Sequence, residues 1–467
     1  MSKQKRIIDA RTEKRLMMLM DIVILLIFTT AFILLTLSGQ TIGAKNYVIA
    51  CIINGIGIFA FLVAFEEYAL TMSGFPERRA SILLSCLYML ILELLGNWLL
   101  MQSTWFSGMA ALLAIVLLAA LMAANYGFYH FFHDSQLFQK QKLLVIGGGN
   151  ANFFRMKRMK YGTLSQFDSW YESLELEDPA SLHKIIHEDM PKYDAVCIFD
   201  NLKDDIYEQI VKQALLLNKE VYAVPKVIDI NRNQANYVRF DDILTFHIQK
   251  YALSPVEEAV KRAFDLVSSL IALMITAIPM LIIAIAVKIT SPGPVFYRQL
   301  RYTKNKKEFY IFKFRTMIPD AEKYSGPTFA QKDDPRITKI GKILRACRLD
   351  ELPQLFNIIK GDMSVVGPRP ERPFFVEQFE KEIDNYNYRF VVKAGLTSLS
   401  HVYGRYSTYI HDRTCYDLLY ISNYSFLMDL KIILLTTKTM LMKDAAEGED
   451  EFKQSANPNQ KKEEANK

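Results

Sequence analysis

The sequence predicts a membrane-anchored α/β protein in three parts: a four-helix transmembrane bundle, a small cytoplasmic α/β domain, and a second α/β domain that carries a re-entrant membrane helix. Three observations predict this architecture. Four apolar runs, each of about 20 residues, fill roughly the first quarter of the chain. Strand and helix patterns alternate through its middle, and one more apolar run opens its last part. With 467 residues, 51% of them hydrophobic, the chain is too long for one ordinary soluble core and too apolar for a disordered protein.

The four apolar runs each have the length that an α-helix needs to cross a bilayer. A signal peptide is not expected, because the first run is long, lacks a small-residue cleavage site and is followed by three more. Lysines and arginines gather in residues 1–15, between the second and third runs and after the fourth, whereas the other two loops carry only Lys45. The positive-inside rule therefore places both ends of the bundle in the cytoplasm. Within residues 16–130, the predicted spans are Leu16–Leu37, Tyr47–Phe65, Ile82–Met101 and Gly108–Tyr126.

Charged residues inside or beside these runs are functional candidates by default, because a charge in hydrocarbon is costly. For Asp21, Glu66 and Glu67 we favour positions near helix ends, facing water or a partner helix. Glu93 is the exception and is kept as a functional candidate.

A Rossmann-like α/β domain is predicted over residues 141–248. The strand Lys142–Ile146 runs into Gly147-Gly148-Gly149-Asn150-Ala151-Asn152, where glycines permit a tight turn and a helix N-terminus faces phosphate. Asn152 replaces the third glycine of the dinucleotide fingerprint, and no acidic residue ends a second strand at the usual distance. Tyr193–Phe199 and Glu220–Val224 are two further predicted strands. Nucleotide binding stays open, and we favour a structural or regulatory role.

The apolar run Leu266–Val287 is long enough to cross the membrane, but Pro279 interrupts it and basic residues flank both ends. A full crossing would carry the following chain outside, against the charge rule. We therefore predict a re-entrant helix over 266–287, broken at Pro279, that enters and leaves on the cytoplasmic face. The Ser291-Pro-Gly-Pro294 turn then redirects the chain into a soluble domain. The alternative is a plain fifth transmembrane helix with a tolerated proline.

A basic segment follows this turn, with Glu308 as its one acidic residue. Such a segment suits anionic lipid headgroups, or a pyrophosphate, beside the membrane surface. Its last part alternates charged and apolar residues as a half-buried strand does, which places Lys313 and Arg315 on one face.

Two adjacent carboxylates are the strongest chemical signal. Pro353 belongs in the first turn of a helix, which puts Asp350 and Glu351 at the positive end of that helix. One carboxylate can attack phosphorus while the other holds Mg²⁺. Downstream, Arg369 lies between two prolines that fix the local backbone, so its guanidinium is preorganised to bind a phosphate with two hydrogen bonds.

At this point the sequence resembles the bacterial sugar transferase family, the polyprenyl-phosphate hexose-1-phosphate transferases, in its large, monotopic phosphoglycosyl transferase subclass. The resemblance covers residues 258–442 as the catalytic domain. The matching motifs are Lys261-Arg262-x-Phe-Asp265, Ser291-Pro-Gly-Pro294, Lys313-Phe-Arg-Thr-Met317, Asp334-Pro-Arg336-Ile-Thr338, Leu349-Asp-Glu-Leu-Pro-Gln354, Gly361-Asp-Met-Ser364 and Val366-Gly-Pro-Arg-Pro370.

The resemblance implies that Asp350 is a covalent nucleophile and Glu351 a magnesium ligand or its neighbour. It implies transfer of a hexose-1-phosphate from a UDP-sugar to undecaprenyl phosphate through an aspartyl-phosphosugar intermediate, with release of UMP. Undecaprenyl-diphosphate sugar would be the first lipid intermediate of an exopolysaccharide, capsule or O-antigen. The implied phosphate-binding residues are Lys313, Arg315, Arg345, Arg369 and Arg405.

The expected location is a bacterial inner membrane, with the catalytic domain in the cytoplasm. The five cysteines lack paired spacing, which argues against disulfides and zinc and indicates a reducing compartment. The expected partners are the UDP-sugar, undecaprenyl phosphate and the membrane. A homodimer is left open, and no nucleic acid is expected.

The departures from the family pattern are Thr303, the segment Ala394-Gly-Leu-Thr-Ser398, and His401 where glutamine is common. They border the expected sugar and nucleotide pocket, so the identity of the sugar stays open. His401 is either a specificity residue or a structural imidazole. We expect Phe426–Lys443 to lie in the membrane interface and residues 444–467 to be disordered.

Two other classes of protein remain as alternatives. A membrane-anchored NAD-dependent sugar dehydratase needs a Tyr-x-x-x-Lys pair on a helix; Tyr222 and Lys226 have that spacing but enclose Pro225, and Tyr302 and Lys306 fall in a polar turn. A non-enzymatic membrane scaffold would have no reason to retain the acidic pair, the basic cluster and the Pro-Arg-Pro turn.

Overall fold

A computed structural model describes residues 10–38, 44–65, 75–99, 104–134, 141–146, 167–173, 179–199, 202–226, 229–230, 236–240, 243–247, 252–318, 334–383, 385–404 and 410–441. The chain divides into two compact units, Met1–Val224 and Pro225–Lys467.

Four long helices open the first unit and coincide with the four predicted spans. They share an apolar core to which Leu25, Ile58, Ile82 and Leu117 each contribute from a different helix. Large apolar side chains also cover their outer faces, as expected where lipid rather than water is the surroundings. That these helices cross a membrane stays a prediction. The helices are α1 (Ala10–Ser38), α2 (Ala44–Ala64), α3 (Phe75–Leu99) and α4 (Thr104–Asp134).

A buried polar contact links three of these helices. Asp21 on α1 accepts a 2.8 Å hydrogen bond from Arg78 on α3 and a 3.0 Å bond from Asn125 on α4. Asp21 therefore faces partner helices, as the sequence predicts. The side chains of Glu66, Glu67 and Glu93 lie outside the described residues.

A parallel sheet follows in the order β2-β1-β3-β4. Residues 143–146 of β1 are wholly buried, as in parallel sheets covered on both faces. The three predicted strands are confirmed, and β2 is an addition that its polar sequence hid. The glycine-rich segment 147–152 lies outside the described residues. The elements are β1 (Gln141–Ile146), β2 (Phe167–Ser173), α5 (Pro179–Lys184), β3 (Ala195–Ile198), α6 (Asp204–Leu216) and β4 (Glu220–Ala223).

The predicted end of this domain, residue 248, is too late. The first compact unit ends at Val224, and an antiparallel hairpin of β5 (Asn236–Phe240) and β6 (Ile243–His247) belongs to the second unit. Ile230 packs with Leu253 and Leu399 in the core of that unit, so this segment belongs to the second domain.

The second unit is built around a long helix, an antiparallel strand pair (β7, β8) and a short parallel pair (β9, β10). Its elements are α7 (Pro255–Thr290), β7 (Phe296–Tyr302), β8 (Glu308–Phe314), α8 (Lys339–Ala346), α9 (Gln354–Lys360), β9 (Ser364–Val366), α10 (Pro373–Glu382), β10 (Gly395–Thr397), α11 (Leu399–Tyr403), α12 (Ile410–Ser422) and α13 (Phe426–Leu441).

Within the described residues, α7 is the one helix long and apolar enough to cross a membrane. It begins at a capping box formed by Ser254 and Glu257, well before the predicted start. The predicted break at Pro279 is wrong, because the helix continues through that residue. Leu273 and Met280, on either side of the proline, pack into one cluster with Phe314, so the same part of the domain supports both halves of the helix.

The last helix, α13, buries one side in the core of the second unit. Ile432 and Leu435 are buried, and Ile432 joins the core cluster that contains Leu418 and Val366. Only part of its surface, including Leu427, is open. That this open side lies in the membrane interface stays a prediction, and residues 444–467 lie outside the described residues.

Candidate active site

The acidic pair lies in a single 3-10 turn, Leu349–Glu351, between α8 and α9. Pro353 stands directly before the first residue of α9, so both carboxylates precede that helix, as predicted. Arg348, the residue that opens the turn, has a left-handed backbone with φ of 53°. A bulky residue is strained in this conformation, and such strain concentrates at functional sites.

Glu351 is held ionised by neighbouring cations. Its Oε1 lies 2.6 Å from Nζ of Lys313 on β8 and 3.5 Å from Nη2 of Arg369. Burial raises the pKa of Glu351, but Lys313 and Arg369 outweigh it and hold that pKa far below its ordinary value.

The pKa of Asp350 is shifted in the opposite direction, although Asp350 is the neighbour of Glu351 in the chain. Its side chain is buried, and burial raises its pKa above the ordinary value. Lys313 and Arg345 oppose this effect, and Glu351 adds to it. A carboxylate with a raised pKa is more basic than usual and so more nucleophilic once ionised.

The structure brings three of the predicted cations around the acidic pair of Asp350 and Glu351: Lys313, Arg345 and Arg369. Arg345 also donates a 2.9 Å hydrogen bond from Nε to Oγ1 of Thr316. Arg405 lies outside the described residues.

Sequence reasoning missed Arg348 and left His401 undecided. Burial and nearby Arg369 lower the pKa of Arg348, while Glu351 and Asp350 raise it. Burial and the cations Arg369 and Arg348 lower the pKa of His401 to about 3, so its imidazole is neutral. Arg348 could have been found as the basic residue two positions before Asp350. The position of His401 depends on a fold that the sequence pattern does not reveal.

Arg315 does not join this group, and its contacts give it a structural role instead of the predicted phosphate-binding role. Its guanidinium donates 2.7 Å hydrogen bonds to the carbonyl oxygens of Pro292 and Ser291. Gly293 has φ of 116° and leaves space for this guanidinium, since an added Cβ would lie 2.1 Å from Nη1. Arg315 therefore closes the turn after α7 through hydrogen bonds from Nη1 and Nη2 to the backbone.

The motif Lys261-Arg262-x-Phe-Asp265 also has a structural use, because all three charged side chains attach α7 to the domain. Lys261 pairs with Asp429 at 2.6 Å, and Arg262 donates to the carbonyl oxygens of Ile358 and Ile359 at the end of α9. Asp265 accepts from Ser364 and from the backbone of the next residue.

Two departures from the family pattern contact each other. Oγ1 of Thr303 donates to the carbonyl of Asp362 and accepts from the backbone of Ala394. This pair fastens a loop to a strand, whereas His401 is the departure that lies beside the acidic pair.

Neither Tyr-x-x-x-Lys pair that the dehydratase alternative could use lies on an α-helix. Tyr222 belongs to strand β4 and Lys226 follows it, while Tyr302 ends strand β7 and Lys306 lies in a 3-10 turn. Neither pair shares a helix face, as that chemistry requires.

Divalent metal has a limited set of donors here. Among the described residues, no group of three or more histidine, cysteine, aspartate or glutamate side chains could hold a metal ion. Two adjacent carboxylates nevertheless suit Mg²⁺, which keeps several waters and is often held by one or two carboxylates together with substrate phosphates.

Comparison with known proteins agrees with this geometry. Residues 256–443 match the bacterial sugar transferase family. The chain is 36% identical over 256 residues to a UDP-N-acetylgalactosamine-undecaprenyl-phosphate N-acetylgalactosaminephosphotransferase of Aeromonas hydrophila, covering 54% of this chain and 59% of the relative. It is 39% identical over 250 residues to a UDP-glucose:undecaprenyl-phosphate glucose-1-phosphate transferase of Klebsiella pneumoniae, covering 52% and 53%.

The chain thus spans a little over half the length of these two relatives. A third relative, the exopolysaccharide production protein PSS of Rhizobium leguminosarum bv. phaseoli, is 40% identical over 189 residues, covering 39% of this chain and 94% of the relative. Because 94% of that relative is covered at 40% identity and residues 256–443 match the family, the chain belongs to the bacterial sugar transferase family.

Proposed function

We propose that the protein transfers a sugar-1-phosphate from a UDP-sugar to undecaprenyl phosphate, as the initiating step of a surface polysaccharide. One observation carries the proposal: the acidic pair of Asp350 and Glu351 lies in a turn among Lys313, Arg345 and Arg369, in a domain that packs along an apolar helix. A water-soluble phosphate donor and a lipid phosphate acceptor need such a site beside a membrane.

In the first step the carboxylate of Asp350 attacks the sugar-bearing phosphorus of the donor. The new bond joins an aspartate oxygen to phosphorus, and the bond between that phosphorus and the oxygen of UMP breaks. UMP leaves with the electron pair. Lys313, Arg345, Arg348 and Arg369 stabilise the negative charge on the transferring group, because fixed cations in a partly buried site act strongly on developing charge.

In the second step a phosphate oxygen of the lipid carrier attacks the same phosphorus. The bond to Asp350 breaks, its carboxylate is restored, and undecaprenyl-diphosphate sugar leaves. Dividing one displacement into two lets a single site serve a soluble donor and a membrane-bound acceptor in turn.

Mg²⁺ is the cofactor that we propose, with Glu351 as its protein ligand. When bound, it would neutralise phosphate charge. Glu351 suits this role because Lys313 and Arg369 keep it ionised.

The remainder of the proposal concerns location. We propose that the four-helix bundle anchors the chain in a bacterial inner membrane with its domains in the cytoplasm, and we leave a homodimer open. The relatives are named for different sugars, N-acetylgalactosamine and glucose, so the sugar must be found by experiment.

The test uses purified full-length protein with undecaprenyl phosphate, Mg²⁺ and a panel of UDP-sugars, and follows UMP release. We expect release from one or two donors. Asp350→Asn should lower turnover by at least about 1000-fold, because the nucleophile is lost. Asp362→Asn, a matched change at an aspartate that pairs with the exposed Lys360, should retain activity.

Incubation with the donor alone should add the mass of a sugar phosphate to the peptide that contains Asp350. Asp350→Asn turnover equal to that of Asp362→Asn, or an adduct on another residue, would overturn the assignment of the nucleophile.

A further inference from the structure

A buried carboxylate lies behind the acidic pair, between two of the segments that surround it. Asp417 on α12 is only 1% exposed, and its Oδ2 lies 2.7 Å from Nη2 of Arg389. Burying both charges has a large desolvation cost, so such a pair is weak evidence for stability by itself. Its purpose is better judged from the other groups that the two side chains hold.

The first branch leads to Arg369. Nη2 of Arg389 also donates a 2.9 Å hydrogen bond to the backbone carbonyl of Arg369. The chain just before Arg369 is fixed by β9 and β10, where the carbonyl of Pro368 accepts from the backbone of Gly395. Arg389 fixes the next peptide group, so the direction of the Arg369 side chain is set from both sides.

The second branch leads to His401. Oδ1 of Asp417 accepts a 2.9 Å hydrogen bond from the hydroxyl of Ser400, which lies 2.9 Å from the hydroxyl of Ser398. Ser398 caps α11 by accepting from the backbone of His401 at 3.0 Å. The two oxygens of one carboxylate therefore reach Arg369 and His401.

Both end points lie beside the same acidic pair. Nη2 of Arg369 lies 3.5 Å from Oε1 of Glu351, and His401 lies close enough to Arg369 and Arg348 for their charges to lower its pKa. A shift of the segment that carries Arg369 would change the field at Glu351, and a shift of either segment would change the place where a phosphate could bind.

We propose that Asp417 is a positioning residue for the active site, which orients Arg369 through Arg389 and His401 through Ser400. This inference rests on the proposed function, because it assigns Asp417 to the machinery of that reaction. Asp417 acts only through these neighbours.

The test compares two buried ion pairs of the same domain. Asp417→Asn keeps the size of the side chain and an acceptor for Ser400, but removes the negative charge that pairs with Arg389. Asp429→Asn makes the same change in the Lys261–Asp429 pair, which is equally buried and attaches α7 instead. Rates of UMP release are measured at a temperature where thermal melting shows both variants folded.

We expect Asp417→Asn to lower kcat/KM for the UDP-sugar about 100-fold, because a displacement near 1 Å can cost that much. Asp429→Asn should stay within about threefold of wild type. The affinity for UMP, which does not depend on turnover, should fall about tenfold in Asp417→Asn only, since a charge-assisted phosphate contact is misplaced.

A double-mutant cycle separates positioning from general damage. In an Arg369→Ala background, Asp417→Asn should lose most of its effect, because the side chain that it orients is gone. Asp429→Asn should have the same small effect in both backgrounds. Equal losses in the two Asp→Asn variants, or an undiminished Asp417→Asn effect without Arg369, would overturn the inference. Wild-type protein that binds UMP but releases none from any donor would contradict the proposed function instead.

Discussion

Nζ of Lys313 lies 2.6 Å from Oε1 of Glu351, and this contact helps to separate the pKa values of two adjacent carboxylates. The pKa of Glu351 falls far below its usual value, whereas burial raises the pKa of Asp350. Pairs of carboxylates whose pKa values are driven apart usually have different roles. Glu351 therefore suits a permanently charged ligand, and Asp350 suits the nucleophile.

The pH dependence of the first step should report this arrangement. Asp350 attacks only when ionised, so the rate should rise with pH through the pKa of Asp350. Lys313 lowers that pKa. Lys313→Met should therefore move the acid limb of UMP release to higher pH, as well as lowering the maximal rate.

Lys360→Met is the matched control, because Lys360 is an exposed lysine of the same domain that pairs with Asp362. Its acid limb should coincide with that of wild type. An acid limb in Lys313→Met that stays in place would mean that Lys313 does not set the ionisation of Asp350.

The left-handed backbone of Arg348 should separate activity from stability. An L-residue in this conformation costs about 1–2 kcal/mol, which glycine avoids. Arg348→Gly and Arg348→Ala both remove the charge and should both lower kcat/KM for the donor by about tenfold or more. Arg348→Gly should nevertheless be more stable than Arg348→Ala by about 1 kcal/mol, measured from thermal or denaturant melting.

The two variants control for one another, since each lacks the guanidinium. Equal stability would show that the φ of 53° carries no strain, and full activity in either variant would remove Arg348 from the site.

The stability of the domain in acid should depend on His401. The pKa of His401 in the folded state is about 3, against an ordinary value of 6.5. Between these values the unfolded chain binds a proton that the folded protein does not, so this histidine lowers stability as pH falls below 6.5. His401→Gln should therefore lose less stability than wild type between pH 7 and pH 4.5, in melting curves of detergent-solubilised protein.

The exposed His187 provides the control for this measurement. His187→Gln should follow the wild-type curve throughout. If His401→Gln also follows it, the imidazole of His401 is not held neutral by burial.

The sequence predicted the acidic pair and three of its cations, and for Lys313 and Arg369 the prediction came from local patterns. Strand alternation placed Lys313 on a face of β8, and the prolines around Arg369 marked a fixed turn. The role of Arg315 was out of reach, because it depends on the backbone at Gly293 folding back toward the end of β8. The continuity of α7 was missed for a similar reason, since packing against Phe314 supports the helix on both sides of Pro279.

The contacts along α7 argue against a steep crossing of the membrane. Asp265 near its start bonds to Ser364, and Ser291 at its end accepts from Arg315, so one domain holds both ends. These positions are about 39 Å apart along a straight helix, more than the roughly 30 Å of bilayer hydrocarbon. A perpendicular helix would force that domain to contact both membrane surfaces.

We therefore expect both ends of α7 to be reached from the cytoplasm, with its exposed apolar side in lipid. Single cysteines at Val256 and Ile289, both more than 70% exposed, can be placed in a chain whose five native cysteines are serine. A membrane-impermeant maleimide should label both in inverted vesicles and neither in intact cells. Labelling of Ile289→Cys from the outside would establish a full crossing, because the end of α7 would then lie on the outer side of the membrane, against the positive-inside rule.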